Sequence, residues 1–199
     1  MFDFEAFSCQ KANFAYAVPS EAQFKDQMKE INVRKSDLIV VYDKIGKVSA
    51  PRAFWMLKTF GIENVAILNG SFNKWVAENR AIEDGDFEKA WKRIRTTKAE
   101  PEDFNFQFDS SRLRLYEDIV KISNYNLVAS DTKGPDAIKI IDTRLSNVYE
   151  LGHIPSAINI PFNSVLNADK TFKSVDEMKQ IFVNAGIENP ESQKIILSC

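Results

Sequence analysis

Histidine occurs once in these 199 residues, at His153, and cysteine only twice, at Cys9 and Cys199. A single histidine excludes an ordinary His/Cys zinc cluster, and two cysteines so far apart exclude a disulfide framework. No metal or cofactor is therefore expected, and a reducing compartment is the default. No apolar run approaches the roughly 20 residues that a membrane-spanning helix needs. Met1-Phe2-Asp3-Phe4-Glu5 lacks the basic start and apolar stretch of a secretory signal. Charge of one sign is missing too: 26 basic and 28 acidic side chains leave a formal net charge of −2. No global field then favours nucleic acid or an anionic membrane, and small-molecule or protein partners are expected instead.

What is present is enough apolar material for a core: hydrophobic residues make up 44% of the chain and charged residues 27%, an ordinary globular balance. The apolar residues are arranged in a passage that occurs twice. In SEAQFKDQMKEINVRKSDLIVVYD, residues 20–43, Phe24, Met28 and Ile31 recur at helical spacing before a polar turn and the β-branched run Leu38 to Val41. In SVDEMKQIFVNAGIENPESQKIILSC, residues 174–199, Met178, Phe182 and Ala185 repeat that spacing before a turn and the run Ile195 to Leu197. Each helix begins at a serine suited to N-capping, Ser20 or Ser174. The second passage aligns with the first once the turn is lengthened, and Asp43 then falls opposite Cys199.

The copies differ in what surrounds them. After Asp43 come a turn KIGKV, a helix around SAPRAFWMLKTFG, the strand NVAIL, the turn NGS and a helix FNKWVAENR. The second copy is preceded by the buried-type strand IKIIDTR, a loop ending in GHIPSA and the short strand INIPF, where the first has only MFDFEAF. Alternating strands and helices predict an α/β protein of two units, each a mostly parallel sheet flanked by helices. The polar, aperiodic stretch 83–111 reads as a linker between residues 1–82 and 112–199.

VVYD, SAPRAFWMLKTFG and VAILNGSFNKW, followed in order by YEDI, IIDTR, GHIPSAINIPF and the terminal LSC, resemble the tandem-domain rhodanese-like sulfurtransferases, the family of thiosulfate and 3-mercaptopyruvate sulfurtransferases. The likeness runs over nearly the whole chain. It implies two rhodanese-like domains, the first catalytically silent with Asp43 in place of the reactive cysteine, the second carrying Cys199 as that cysteine. In the family the cysteine ends a strand and opens a loop whose backbone N–H groups surround the thiolate, which stabilises the anion. The implied activity moves a sulfane sulfur from thiosulfate or 3-mercaptopyruvate, through a cysteine persulfide, to cyanide or a thiol. The implied partners are a small anionic donor and that acceptor, in a mitochondrial or cytoplasmic setting. Against the family plan the sequence reads as incomplete at both ends, the second domain stopping at Cys199, or as completed by a protein partner that covers it. The alternative is a degenerate, non-catalytic rhodanese-like subunit of a larger assembly.

Two departures motivate that alternative. Val148 stands where substrate-binding relatives place an arginine, and an isopropyl group cannot replace a guanidinium fork. Glu5 and Tyr16 align with an Asp and a His of the mercaptopyruvate enzymes, and a phenol does not shuttle protons near neutral pH. Arg144 is the candidate for contact with the anionic donor, although an ion pair with Asp142 that organises the loop is the commoner role for a pair so spaced. His153, in GHIP, reads as a residue joining loop to strand, and Cys9 is given no chemistry. AFWMLKTF reads as the apolar face of a helix, Asn69-Gly70-Ser71 as a strand-to-helix turn, and Lys89–Arg95 as a solvated face or a protein-docking strip.

Overall fold

A computed structural model describes residues 5–9, 17–44, 49–83, 85, 105–128 and 137–198. The chain divides into two units, Met1–Arg112 and Leu113–Cys199.

In the first unit the elements follow in the order α1 (Glu21–Glu30), β1 (Ile39–Val41), α2 (Ala50–Thr59), β2 (Val65–Ile67) and α3 (Ser71–Ala77). Strand β1 pairs in parallel with β2, Ile39 opposite Val65 and Val41 opposite Ile67. A parallel pair needs a crossover, and α2 provides it. The Ser20 hydroxyl starts α1 by accepting the Gln23 N–H at 3.2 Å, and Pro51 sits in the first turn of α2, where no N–H partner is lost.

Among the described residues two three-residue strands make this sheet, which is marginal alone, so the unit depends on its helices. Phe24 and Met28 of α1 and Met56 and Leu57 of α2 are buried with Phe7, Phe60, Ile62 and Phe106, and Ile39, Val41 and Val65 pack against them. Phe24 is the hub: it stacks on Phe60 at 3.9 Å between ring centroids and meets Phe106 edge-on at 5.2 Å. Burial of such a ring contributes about 2–3 kcal/mol. Phe106, together with Phe108, which packs against this cluster, comes from the stretch expected as a linker, so the end of that stretch is part of the first unit's core. AFWMLKTF is the apolar helix face expected of it, with Ala53, Met56 and Leu57 buried.

The second unit contains α4 (Tyr116–Val128), β3 (Lys139–Asp142), α5 (Ser146–Glu150), β4 (Ile158–Asn159), α6 (Val175–Asn184) and β5 (Ile195–Ser198). Its parallel sheet has the order β4-β3-β5, with Ile141 opposite Ile158 on one side and opposite Leu197 on the other. The core is aliphatic: Ile141, Ile160 and Ile187 are buried, with Ile158, Ile181, Phe182, Ala185 and Ile195 against them. Helix α4 is tied down by Ser123 Oγ donating to the Pro155 carbonyl at 2.6 Å and Asn126 Nδ2 donating to that of Ile138 at 2.9 Å. Helix α5 falls within a stretch expected to be loop; five residues are too few to show a helical period, and the Tyr149 hydroxyl holds the turn by donating to the Ala157 carbonyl at 2.8 Å.

The two helix-to-strand passages end their helices alike. Asn32 follows α1 with φ 52° and Gly186 follows α6 with φ 85°. The next residue then bonds back, Val33 N–H to the Met28 carbonyl at 3.0 Å and Ile187 N–H to that of Phe182 at 2.9 Å. Among the described residues no helix is long and apolar enough to cross a membrane.

Candidate functional site

Parallel α/β sheets present ligand sites at the carboxyl ends of their strands. Asp43 lies there in the first unit, just after β1, and is 9% exposed. Its Oδ2 accepts the N–H of Ser49 at 3.0 Å and of Ala50 at 3.1 Å, both at the start of α2, whose macrodipole also favours a negative charge. Its Oδ1 accepts Ser71 Oγ at 2.9 Å, while the Asp43 N–H donates to the same oxygen at 2.9 Å. The Ser71 hydroxyl also meets the Asp43 carbonyl, so its single proton is shared between two acceptors. Ser71 follows Gly70, whose φ of 91° is the left-handed turn that brings α3 back over the strand end. NGS is therefore the strand-to-helix turn expected, and Ser71 additionally anchors Asp43, a role its sequence context does not reveal. Of the turn KIGKV, residues 45–48 lie outside the described residues.

The equivalent end of the second unit is built from β3 and β5. Asp142, 2% exposed, closes β3. Arg144 grips it through Nη2 to Oδ2 at 2.6 Å and Nε to Oδ1 at 3.0 Å, while the Arg144 N–H donates to Oδ1 at 2.9 Å. These bonds, led by the guanidinium, hold the Asp142 carboxyl below its ordinary range. Arg144 Nη2 also donates to the Gly152 carbonyl at 2.8 Å, pinning the GHIP turn to the strand end.

Asn159 of β4 braces the same turn: its Nδ2 donates to the carbonyls of Asp142 at 3.0 Å and Arg144 at 2.9 Å, and its Oδ1 accepts Ser146 Oγ at 2.9 Å. Between those carbonyls, Thr143 donates through N–H and Oγ1 to the Ser198 carbonyl at 2.8 and 3.0 Å. Ser198 closes β5 and precedes Cys199, which itself lies outside the described residues, as do Tyr16 and Lys89–Arg95.

His153 is exposed, its ring stacked on Tyr149 at 3.7 Å and its Nδ1 3.0 Å from the Tyr149 carbonyl. Val148 lies on α5 and is 36% exposed, and Glu5 is exposed. Cys9 is a half-buried free thiol whose N–H donates to the Ala17 carbonyl at 2.9 Å. Asn159 and Thr143, like Ser71, carry no sequence signature, because their partners come from distant segments.

Two α/β units, each closing a parallel sheet at a loop-forming strand end, one with a carboxylate and one leading to a cysteine, define a rhodanese-type architecture. The model of the rhodanese-like domain matches residues 8–78 and 127–199, and the chain belongs to that family. The 3-mercaptopyruvate sulfurtransferase of Mus musculus is 27% identical over all of this chain and 64% of its own length. The corresponding protein of Escherichia coli K12 is 30% identical over all of this chain and 66% of its own, and the thiosulfate sulfurtransferase of Gallus gallus is 30% identical over 91% and 60%. The chain thus spans less than two thirds of the length of these curated relatives. Among solved structures, SseA from Escherichia coli, described as a 3-mercaptopyruvate sulfotransferase with the rhodanese fold, superposes with a TM-score of 0.79 at 30% identity, over all of this chain and 70% of that one. The sulfur transferase subunit of yeast mitochondrial complex I gives 0.73 at 27% identity, over all of this chain and 68% of that one.

Proposed function

We propose that this chain belongs to a sulfurtransferase that carries a sulfane sulfur on Cys199, with residues 1–82 forming a catalytically silent first domain and residues 112–199 the sulfur-carrying second. The observation that carries the reading is the equivalence of two strand ends. Asp43 follows β1 at the point where a carboxylate is held by backbone N–H groups and a buried hydroxyl, and Cys199 follows β5 at the matching point of the second passage. The first is an acceptor already satisfied by its neighbours; the second brings a thiol.

In the proposed reaction the Cys199 thiolate attacks the outer sulfur of thiosulfate, the S–S bond breaks, and sulfite leaves with the bonding electron pair. With 3-mercaptopyruvate the C–S bond breaks instead, the pair passes to carbon as the enolate of pyruvate, and the thiol proton ends on that carbon. Cyanide or a thiol then attacks the outer persulfide sulfur, and the thiolate returns. The Arg144 guanidinium, bound to Asp142 and the Gly152 carbonyl, supports an organising role at the strand end more than direct contact with the donor anion. Thiocyanate formation from thiosulfate and cyanide tests this reading. Turnover in the wild-type protein that vanishes in Cys199→Ser is expected; turnover surviving in Cys199→Ser, or none with either donor, overturns it.

A second reading, a non-catalytic subunit covered by a protein partner, draws on the exposed apolar side chains of the second unit, with Leu197 at 67% and Val128 at 83%, and on the likeness to the complex I subunit. Size-exclusion chromatography separates the two: a monodisperse monomer counts against a covering partner, and aggregation rescued by coexpression favours one. Mitochondrial or cytoplasmic residence accompanies either reading, since that subunit is mitochondrial and other relatives are bacterial.

A further inference from the structure

The Ser198 carbonyl receives two hydrogen bonds from a single residue. The Thr143 N–H, at 2.8 Å, continues the parallel ladder of β3 and β5; the Thr143 hydroxyl, at 3.0 Å, is additional. Thr143 is itself braced along its backbone. The carbonyls before and after it are both held by Asn159 Nδ2, and its own carbonyl accepts the Phe162 N–H at 2.9 Å.

The carbonyl so gripped belongs to the peptide that joins Ser198 to Cys199. A peptide is planar, so fixing the direction of its C=O fixes the plane of the next residue's amide as well. We propose that Thr143, braced by Asn159, is a positioning residue for Cys199, its hydroxyl locking the peptide from which the thiol departs. The proposal rests on Cys199 being the sulfur carrier.

The first unit supplies an independent parallel. There the equivalent peptide, Tyr42 to Asp43, is held from its other end: the Asp43 N–H donates to the buried Ser71 hydroxyl at 2.9 Å. In both units a hydroxyl from a neighbouring segment fixes the peptide entering the key residue, through the N–H in one and the carbonyl in the other. Regular sheet pairing needs neither hydroxyl.

The test uses the whole chain and follows iodoacetamide alkylation of Cys199 and Cys9 separately, by peptide mass spectrometry across a pH series. Thr143→Val keeps the shape and removes the hydroxyl; Thr143→Ser retains it. Thr143→Val is expected to change the Cys199 rate about fivefold or displace its pH profile correspondingly, the usual worth of one hydrogen bond, with Thr143→Ser within about twofold of wild type and Cys9 unchanged. A Thr143→Val profile matching wild type, or Thr143→Ser as altered as Thr143→Val, overturns the proposal. Should Thr143→Val loosen the second unit, shown by faster hydrogen exchange in the α6 peptide, Asn159→Ala decides. A changed Cys199 profile with α6 exchange unchanged supports the brace, and no change overturns it. Alkylation requires no sulfur transfer, so the two failures are told apart: a Cys199 that responds to Thr143 yet never accepts sulfur refutes the carrier reading, and one that accepts sulfur yet ignores Thr143 refutes the positioning role.

Discussion

The first unit packs its helices around phenylalanine rings, Phe7, Phe24, Phe60 and Phe106, whereas the second fills the corresponding space with Ile141, Ile160 and Ile187. The helix-to-strand passage is nonetheless the same in both, with a serine cap, a left-handed residue after the helix and a parallel strand. Backbone plan and core chemistry are thus separable: the caps and turns specify the path, and apolar side chains of different shape fill it. The strand ends differ in a way that matters more. One holds a carboxylate within a set of donors, and the other spends its donors on an aspartate–arginine pair and on the peptide leading to a cysteine.

The largest losses are expected from emptying each core. Phe24→Ala removes the hub of the ring cluster and is expected to cost about 4 kcal/mol, while Ile187→Ala in the second unit costs about 3 kcal/mol. Trp55 and Trp75 lie in the first unit and the second has no tryptophan, so tryptophan fluorescence reports the first unit's unfolding, and hydrogen exchange in the α6 and β5 peptides reports the second. Equal losses in both reports for either variant would mean that the units do not unfold separately.

Next in size is the charge at each strand end. Asp142→Ala leaves the Arg144 guanidinium without its carboxylate and is expected to destabilise the second unit by about 3 kcal/mol. Because Arg144 lowers the folded-state pKa of Asp142, that stabilisation is present above the unfolded value of about 3.9 and is lost as pH falls through the lower folded value. An acid titration of exchange protection should therefore show a loss below about pH 4 in wild type that is diminished in Asp142→Asn. Asp43→Ala gives up two backbone N–H donors and the Ser71 contact, and about 2 kcal/mol of first-unit stability is expected to go with them.

The smallest expected difference lies in the caps. Ser174 forms a full capping box, accepting the Glu177 N–H at 3.3 Å while its own N–H donates to Glu177 Oε2 at 2.9 Å; Ser20 has Gln23 at the matching position. Alanine at either serine should cost about 1 kcal/mol. Glu177→Ala should remove an added fraction in the second unit that Gln23→Ala does not match through this box. Thermal melts of the single variants measure the difference.

Much of this fold is legible in the sequence because its signals are local. Phe24, Met28 and Ile31, or Met178, Phe182 and Ala185, announce their helices by spacing, and the runs before Asp43 and Cys199 announce strands. Helix α4 is harder to read, since Tyr116, Val120 and Leu127 are apolar yet exposed and blur its period. Helix α5 is a single short turn. The strand-end partners were out of reach for a different reason: Ser71 meets Asp43 across 28 residues and Thr143 meets Ser198 across 55, so only folding makes those hydroxyls neighbours of the key positions. The Asp142–Arg144 pair was legible because its partners are two residues apart.

The central claim is that the strand end carrying a thiol accepts sulfur while the one carrying a carboxylate does not. Its most direct test is a single-turnover incubation with thiosulfate, and separately with 3-mercaptopyruvate, followed by trapping and peptide mass mapping. One added sulfur atom at Cys199, with none at Cys9, is the predicted result. No added sulfur at Cys199 with either donor in the folded protein, or sulfur found at Cys9 instead, would contradict it.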